Sequence, residues 1–167
     1  MPETVSDTGP VLHLQEISRL TTLSVVAPLS LPDLVLEELE ARAAGKSRLD
    51  AAGIEFTISP VKTEQWREIL RTVAPQIQPA DAQVFALIRD SGFKALGLTD
   101  DLDLRSVLES HGAQVVGSVG ILVRAYKSGL IGRDDLEDAI DDLFDRSTLH
   151  LSRAFRAYLR QFLKNLA

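Results

Sequence analysis

Apolar and polar positions follow two periods along this chain, and the switches between them mark out its elements. Residues 4–7 form a short β-prone run ending on Asp7, and Val11, Leu12, Leu14, Ile17 and Leu20 then recur at helical spacing. That pattern predicts a strand, a Gly9-Pro10 turn and a helix over 11–20. Residues 23–27 read as a second β-rich run ahead of Pro28 and Pro32. Residues 33–44 read as a helix with Gly45 as its C-cap. Residues 46–52 continue as a loop or helical turn, and 54–58 alternate as a short edge strand does.

Thr63 is placed to cap a helix over 64–73, and Pro79 suits the first position of a helix that runs on through 82–91. Residues 94–98 form a third central strand, closing on Thr99-Asp100-Asp101. A helix over 102–110 stops at Gly112, a strand follows at 114–116, and Gly117 leads into a helix over 118–128 closed by Gly129. Helices over 133–145 and 149–165 complete the chain. Strand alternating with helix predicts an α/β fold: a three-layer domain with a central, mostly parallel twisted sheet flanked by helices. That core covers about 1–131, with a helical C-terminal extension over about 132–167. No repeat or linker divides it, so 1–167 is expected to be a single domain.

Composition adds limits. The 167 residues are 45% apolar and 25% charged, enough for a real core. A net charge of −6 argues against broad electrostatic binding to nucleic acid. It leaves a nuclease open, because bound metal ions neutralise an acidic pocket and bridge to phosphate. The absence of cysteine excludes disulfides, thiolate zinc sites and a Cys nucleophile. Met1-Pro2-Glu3 is acidic, no signal-like apolar run follows it, and the uncharged stretch 20–32 is too short to cross a bilayer. A cytoplasmic location without membrane contact is expected.

The chemistry concentrates in acids at element boundaries. Asp7 closes the first strand, Glu37 and Glu38 lie on the helix after the second, Asp81 sits in the first turn after Pro79, and Asp100 and Asp101 end strand 94–98. Hard carboxylate oxygens placed this way suit Mg²⁺ or Mn²⁺. Structural roles compete: Asp81 complements a helix dipole, Asp100 caps helix 102–110, and Glu37 or Glu38 is simply solvated. Asp7 is the hardest to dismiss, since an acid closing an apolar strand is costly unless paired or ligated. Arg105, four residues after Asp101, either forms an i,i+4 ion pair or orients a carboxylate or phosphate. Ser118 is a helix N-cap, a group of the site, or both. His13, His111 and His150 share no ligand spacing. A phosphatase-like use of Asp7 would want a second aspartate where Gly9 stands. Acids crowd 133–145, while Arg153, Arg156, Arg160 and Lys164 repeat on the last helix beside an apolar stripe of Leu151, Phe155, Leu159, Phe162 and Leu166. Those two helices either pack with complementary charge, or the arginines touch RNA and the stripe docks a partner or a second protomer.

Ser6-Asp7-Thr8-Gly9-Pro10, the run Leu31 to Leu39 containing Glu37-Glu38, Leu98-Thr99-Asp100-Asp101 followed by Arg105, and Gly117-Ser118-Val119-Gly120 followed by Lys127-Ser128-Gly129-Leu130-Ile131 together resemble a PIN domain. The closest likeness is to the subgroup akin to VapC-type toxins, and it covers nearly the whole chain. The resemblance implies a metal-dependent ribonuclease using Mg²⁺ or Mn²⁺, acting on RNA, with an antitoxin protein as partner; a homodimer is the separate expectation that the apolar stripe raises. It matches Asp7, Glu38 (Glu37 in the alternative register), Asp81 and Asp101 to metal-binding and catalytic acids, with Asp100 beside them, and Ser118 to a hydroxyl near the site. Two departures stand out: the central acid is Ala80-Asp81 where Gly-Glu is usual, and no aspartate lies near 117–120.

Overall fold

The computed structural model describes residues 3–166, so Met1, Pro2 and Ala167 lie outside it. Its centre is a five-stranded, all-parallel sheet of β1 (Thr4–Ser6), β2 (Leu29–Pro32), β3 (Phe56–Ser59), β4 (Leu96–Leu98) and β5 (Val115–Val116), in the order β3-β2-β1-β4-β5. The chain therefore builds outward from β1 in one direction and returns to build outward in the other. The change of direction falls between β1 and β4, whose register sets Val5 opposite Gly97 and Ser6 opposite Leu98. In open parallel sheets the carboxyl edge at such a switch point is where a ligand finds a crevice.

Helices cover the sheet: α1 (Thr8–Glu16), α2 (Asp33–Ala41), α3 (Lys46–Ala51), α4 (Thr63–Thr72), α5 (Pro79–Asp90), α6 (Leu102–Ser110), α7 (Ser118–Lys127), α8 (Arg133–Asp145) and α9 (Arg153–Asn165). The apolar runs of β1, β2 and β4 are buried on both faces, as expected for parallel strands between helical layers. α5 lies across β1, β2 and β4 and is buried along most of its length. Gly97 makes that approach feasible, because a Cβ there would meet Ile88 Cδ1 at 3.0 Å and Leu108 Cδ1 at 3.2 Å. None of the described helices is long and apolar enough to cross a membrane.

Several boundaries differ from the periodic reading. Residues 23–27 are not a strand: the chain winds as a 3-10 helix over Leu20–Val25, and β2 begins after Pro28. The reason lies in the spacing, for Leu20, Leu23 and Val26 recur every three residues and all are buried. Gly9-Pro10 is not a turn but part of the first turn of α1, where a residue without N–H is tolerated. Gly45 is the N-cap of α3 and not the C-cap of α2; Ala43 takes the left-handed conformation instead, with φ of 53°. Gly45 is needed for space, since a Cβ would collide with the Glu40 carboxylate. Thr63 is the first residue of α4 and caps nothing. The last helix starts at Arg153, behind Ser152, whose Oγ accepts from Phe155 N at 3.1 Å.

Complementary charge links the C-terminal pair, beside buried Leu159 and Leu163. Arg156 grips Asp145 through both carboxylate oxygens at 2.8 and 3.1 Å and reaches Asp141 at 3.1 Å, with its guanidinium over the Phe144 ring. Arg133 opens α8 and donates to the carbonyls of Leu163 and Leu166, clasping the negative end of α9.

Candidate metal centre

The carboxyl edge of the sheet carries the acids. Asp7 N donates to Leu98 O at 2.9 Å and Thr99 N to Val116 O at 3.1 Å, so the ladder runs one residue beyond β1 and β4 and fixes both backbones. The Asp7 carboxylate is nearly buried and sits at the start of α1, where Oδ1 accepts from Thr8 N at 2.7 Å. Its Oδ2 accepts from Thr99 Oγ1 at 2.8 Å, and the same Thr99 oxygen accepts from Asp101 N at 3.0 Å. Thr99 is fully buried and links two acids of the site. The sequence reading passed over it; a hydroxyl between an apolar strand and an Asp-Asp pair was the available signal.

The other acids come from helix starts and one helix face. Asp81 Oδ2 accepts from Gln78 N at 3.0 Å, closing the first turn of α5, so its capping role is present and its carboxyl still faces Asp7. Glu38 accepts a bond from Thr8 Oγ1 and lines the cleft, whereas Glu37 does not; the helical register thus selects Glu38. α2 is held in that register by buried Gln83, whose Oε1 accepts from Leu34 N at 2.9 Å and whose Nε2 donates to Asp33 Oδ1 at 3.0 Å. Asp101 is the N-cap of α6, with Oδ1 accepting from Leu104 N at 2.9 Å.

Asp100 has a different environment. Its Oδ2 accepts from His13 Nδ1 at 2.7 Å and from Ser118 Oγ at 2.5 Å, and its Oδ1 from Ser118 N at 2.7 Å. It therefore caps α7 from a distance and ties it to α1, rather than capping helix 102–110. Gly117 leaves room for this: a Cβ there would meet Asp100 Oδ1 at 2.7 Å. Ser118 is the first residue of α7, not its cap, and it is fully buried with its hydroxyl spent on Asp100. Of the histidines without ligand spacing, His13 thus bonds to an acid of the site, and His150 lines the same cleft. Arg105 does not pair with Asp101. It reaches Glu109 at 3.3 Å and Val115 O at 3.4 Å, and it lines a neighbouring groove instead of the acidic cleft.

Asp7, Glu38, Asp81, Asp100 and Asp101 all line one open cleft of about 640 Å³. Burial pushes the Asp7 carboxyl from 3.8 up to about 8, and the Asp81 charge adds to the effect. Burial is also the largest cause for Asp81, pushed up to about 6, with Asp101 and Glu38 raising it further. No Lys or Arg is among the described residues lining the cleft, and its His13 is engaged with Asp100. Buried like charges without a cation are costly. A hard, all-oxygen donor set of this kind fits a small divalent cation. As the side chains stand, no group of three or more His, Asp or Glu among the described residues could hold an ion. The outer acids Glu38 and Asp101 are exposed at the rim, Glu38 accepting from Thr8 and Asp101 capping α6.

A family model, DUF3368, described as a PIN domain, matches residues 3–165. No curated protein matches the chain. The parallel sheet, the acids gathered at its switch point and a match spanning almost the whole sequence agree: the chain belongs to the PIN domain family, which has a nuclease fold and typically uses divalent metals.

Proposed function

We propose that this protein is a Mg²⁺- or Mn²⁺-dependent endoribonuclease that hydrolyses RNA phosphodiester bonds, serving as the toxin of a toxin–antitoxin pair in the cytoplasm. The observation carrying the reading is the meeting of Asp7, Glu38, Asp81 and Asp101 in one cleft with no cationic side chain of their own. Asp7, Asp81, Glu38 and Asp101 would hold the ion. A bound divalent ion there supplies a water of lowered pKa and charge neutralisation at the phosphate. Asp7 is the fixed point, because Thr8 N and Thr99 Oγ1 lock both of its oxygens. Glu38 and Asp101 stand on the exposed rim, open to a substrate. Asp100, held by His13 and Ser118, ties α1 to α7 beside the cleft. RNA is the substrate and an antitoxin the partner under this reading; both come from the family likeness.

One observation favours a second reading, a binding module of weakened activity. Asp81 is committed to the first turn of α5, and Asp100 is saturated by His13 and Ser118. The two readings separate in one assay. Purified protein is incubated with structured RNA and Mg²⁺ or Mn²⁺, beside Asp7→Asn. Cleavage by the wild type alone supports the nuclease. Equal cleavage by both, or none by either, removes it.

A further inference from the structure

A second concavity adjoins the acidic cleft. It is a groove of about 890 Å³, bounded by α7 and α9 and floored by β5. Two kinds of side chain stand out on it. Arg105, Arg124 and Lys127 come from α6 and α7; Arg124 and Lys127 are exposed and make no ion pair among the described residues. Phe155, Tyr158 and Phe162 come from α9 and form a ladder, with rings near parallel at centroid separations of 6.1 Å and 6.5 Å. Tyr158 at its centre is 62% exposed, a large aromatic surface left in water.

Leu149 and His150 line both the groove and the acidic cleft, as do Asp100 and Leu102, so the two form one continuous path. Cations along one wall and rings along the other, with Tyr158 exposed and Phe155 and Phe162 half-buried, match an unpaired nucleic-acid strand, whose phosphates want charge and whose bases want a flat apolar surface. A duplex keeps its bases stacked on one another and offers the rings nothing. The volume is in the range of ligand sites and holds a short stretch of bases, not a folded domain.

We propose that the groove between α7 and α9 binds single-stranded RNA, stacking bases on Tyr158 and its neighbours and holding phosphates with Arg124, Lys127 and Arg105, and so feeds the strand toward the acidic cleft. This deepens the nuclease reading and rests on it for the fate of the strand, but not for its binding. The acids at the cleft end would leave the strand's terminal grip to a metal bound there.

The test is fluorescence anisotropy of a labelled oligouridylate with the full chain in EDTA, where no cleavage occurs. Tyr158→Ala is expected to weaken binding about 5- to 100-fold, the effect of losing one stacked base. Tyr158→Phe, which keeps the ring, is expected to stay near the wild type. Arg124→Ala and Lys127→Ala should each lower the slope of log affinity against log salt by about 0.7. Circular dichroism checks that each variant is folded; Tyr158 is exposed enough for both replacements. Equal affinity of wild type and Tyr158→Ala, or duplex RNA bound as tightly as the single strand, overturns the proposal. So does a groove that takes an acidic amphipathic peptide and no RNA. Binding that survives in a protein with no nuclease activity leaves the groove standing and removes only the catalytic reading. Cleavage that is indifferent to Tyr158 does the reverse.

Discussion

The acidic cleft and the α7–α9 groove meet at Leu149 and His150, yet they are built in opposite ways. The cleft is anchored at strand ends, with Glu38 and Asp81 added from helices α2 and α5. Asp7 and Thr99 are placed by neighbouring parallel strands, and their hydrogen bonds of 2.7 to 2.8 Å leave Asp7 no freedom to turn. The groove is made of helix faces. Its outer wall, α9, is held by buried Leu159 and Leu163, by the Arg156 ion pairs and by Arg133 at its end. The cleft concentrates like charge in a buried place, which costs stability until a cation offsets it. The groove leaves cations and aromatic rings in water, which costs little. One region is held by buried hydrogen bonds and crowded by charge, and the other sets cations and rings on helix faces in water.

That contrast can be broken most sharply at Asp7. Asp7→Asn keeps the acceptor for Thr99 Oγ1 but removes the charge, and it should lower metal-dependent RNA cleavage by more than the roughly 10- to 100-fold typical of groups behind a ligand. Gel-resolved cleavage rates in Mn²⁺ measure it. Thr99→Val should come next. It leaves Asp7 Oδ2 and Asp101 N without their shared partner, so a loss of about 1–3 kcal/mol in unfolding free energy is expected, with a drop in Mn²⁺ affinity of about 10-fold or more. Denaturant unfolding and calorimetry read the two effects. Wild-type values for both would mean that the hydroxyl positions nothing.

The pH dependence is smaller and carries a definite sign. Asp7 and Asp81 hold protons more tightly folded than unfolded, their carboxyls rising from 3.8 to about 8 and about 6. Stability from these groups is then present at low pH and lost as pH rises through that window. In EDTA the melting temperature should fall between about pH 4 and about pH 8, Asp7→Asn should flatten the fall, and saturating Mn²⁺ should abolish it. A melting temperature rising across the window would contradict the charge crowding. The smallest effect expected is a separation of the regions: Arg124→Ala and Lys127→Ala should leave Mn²⁺ uptake unchanged.

Much of this was legible in the sequence. The strand-helix alternation gives the parallel α/β core, and the positions of Asp7, Glu38, Asp81 and Asp101 at element boundaries point to one edge. What the periodicity could not give was the partner of each group. His13 has no ligand-like spacing because its partner, Asp100, is far along the chain and is brought to it by the β1–β4 pairing. Ser118 and Asp100 meet for the same kind of reason, across β4 and β5. Arg105 faces Asp101 on a helical wheel, but it turned to Glu109 and Val115, since Asp101 is spent on capping α6. The run 23–27 misled because a short apolar stretch fits a strand and a 3-10 turn alike.

The central claim is that Asp7 anchors a divalent metal at the switch point of the sheet. Titration calorimetry of Mn²⁺ into the wild type and into Asp7→Asn tests it most directly. The account predicts a saturable site in the wild type and a loss of at least about 10-fold in affinity in the variant. No Mn²⁺ uptake by the wild type, or the same affinity in both proteins, would contradict it.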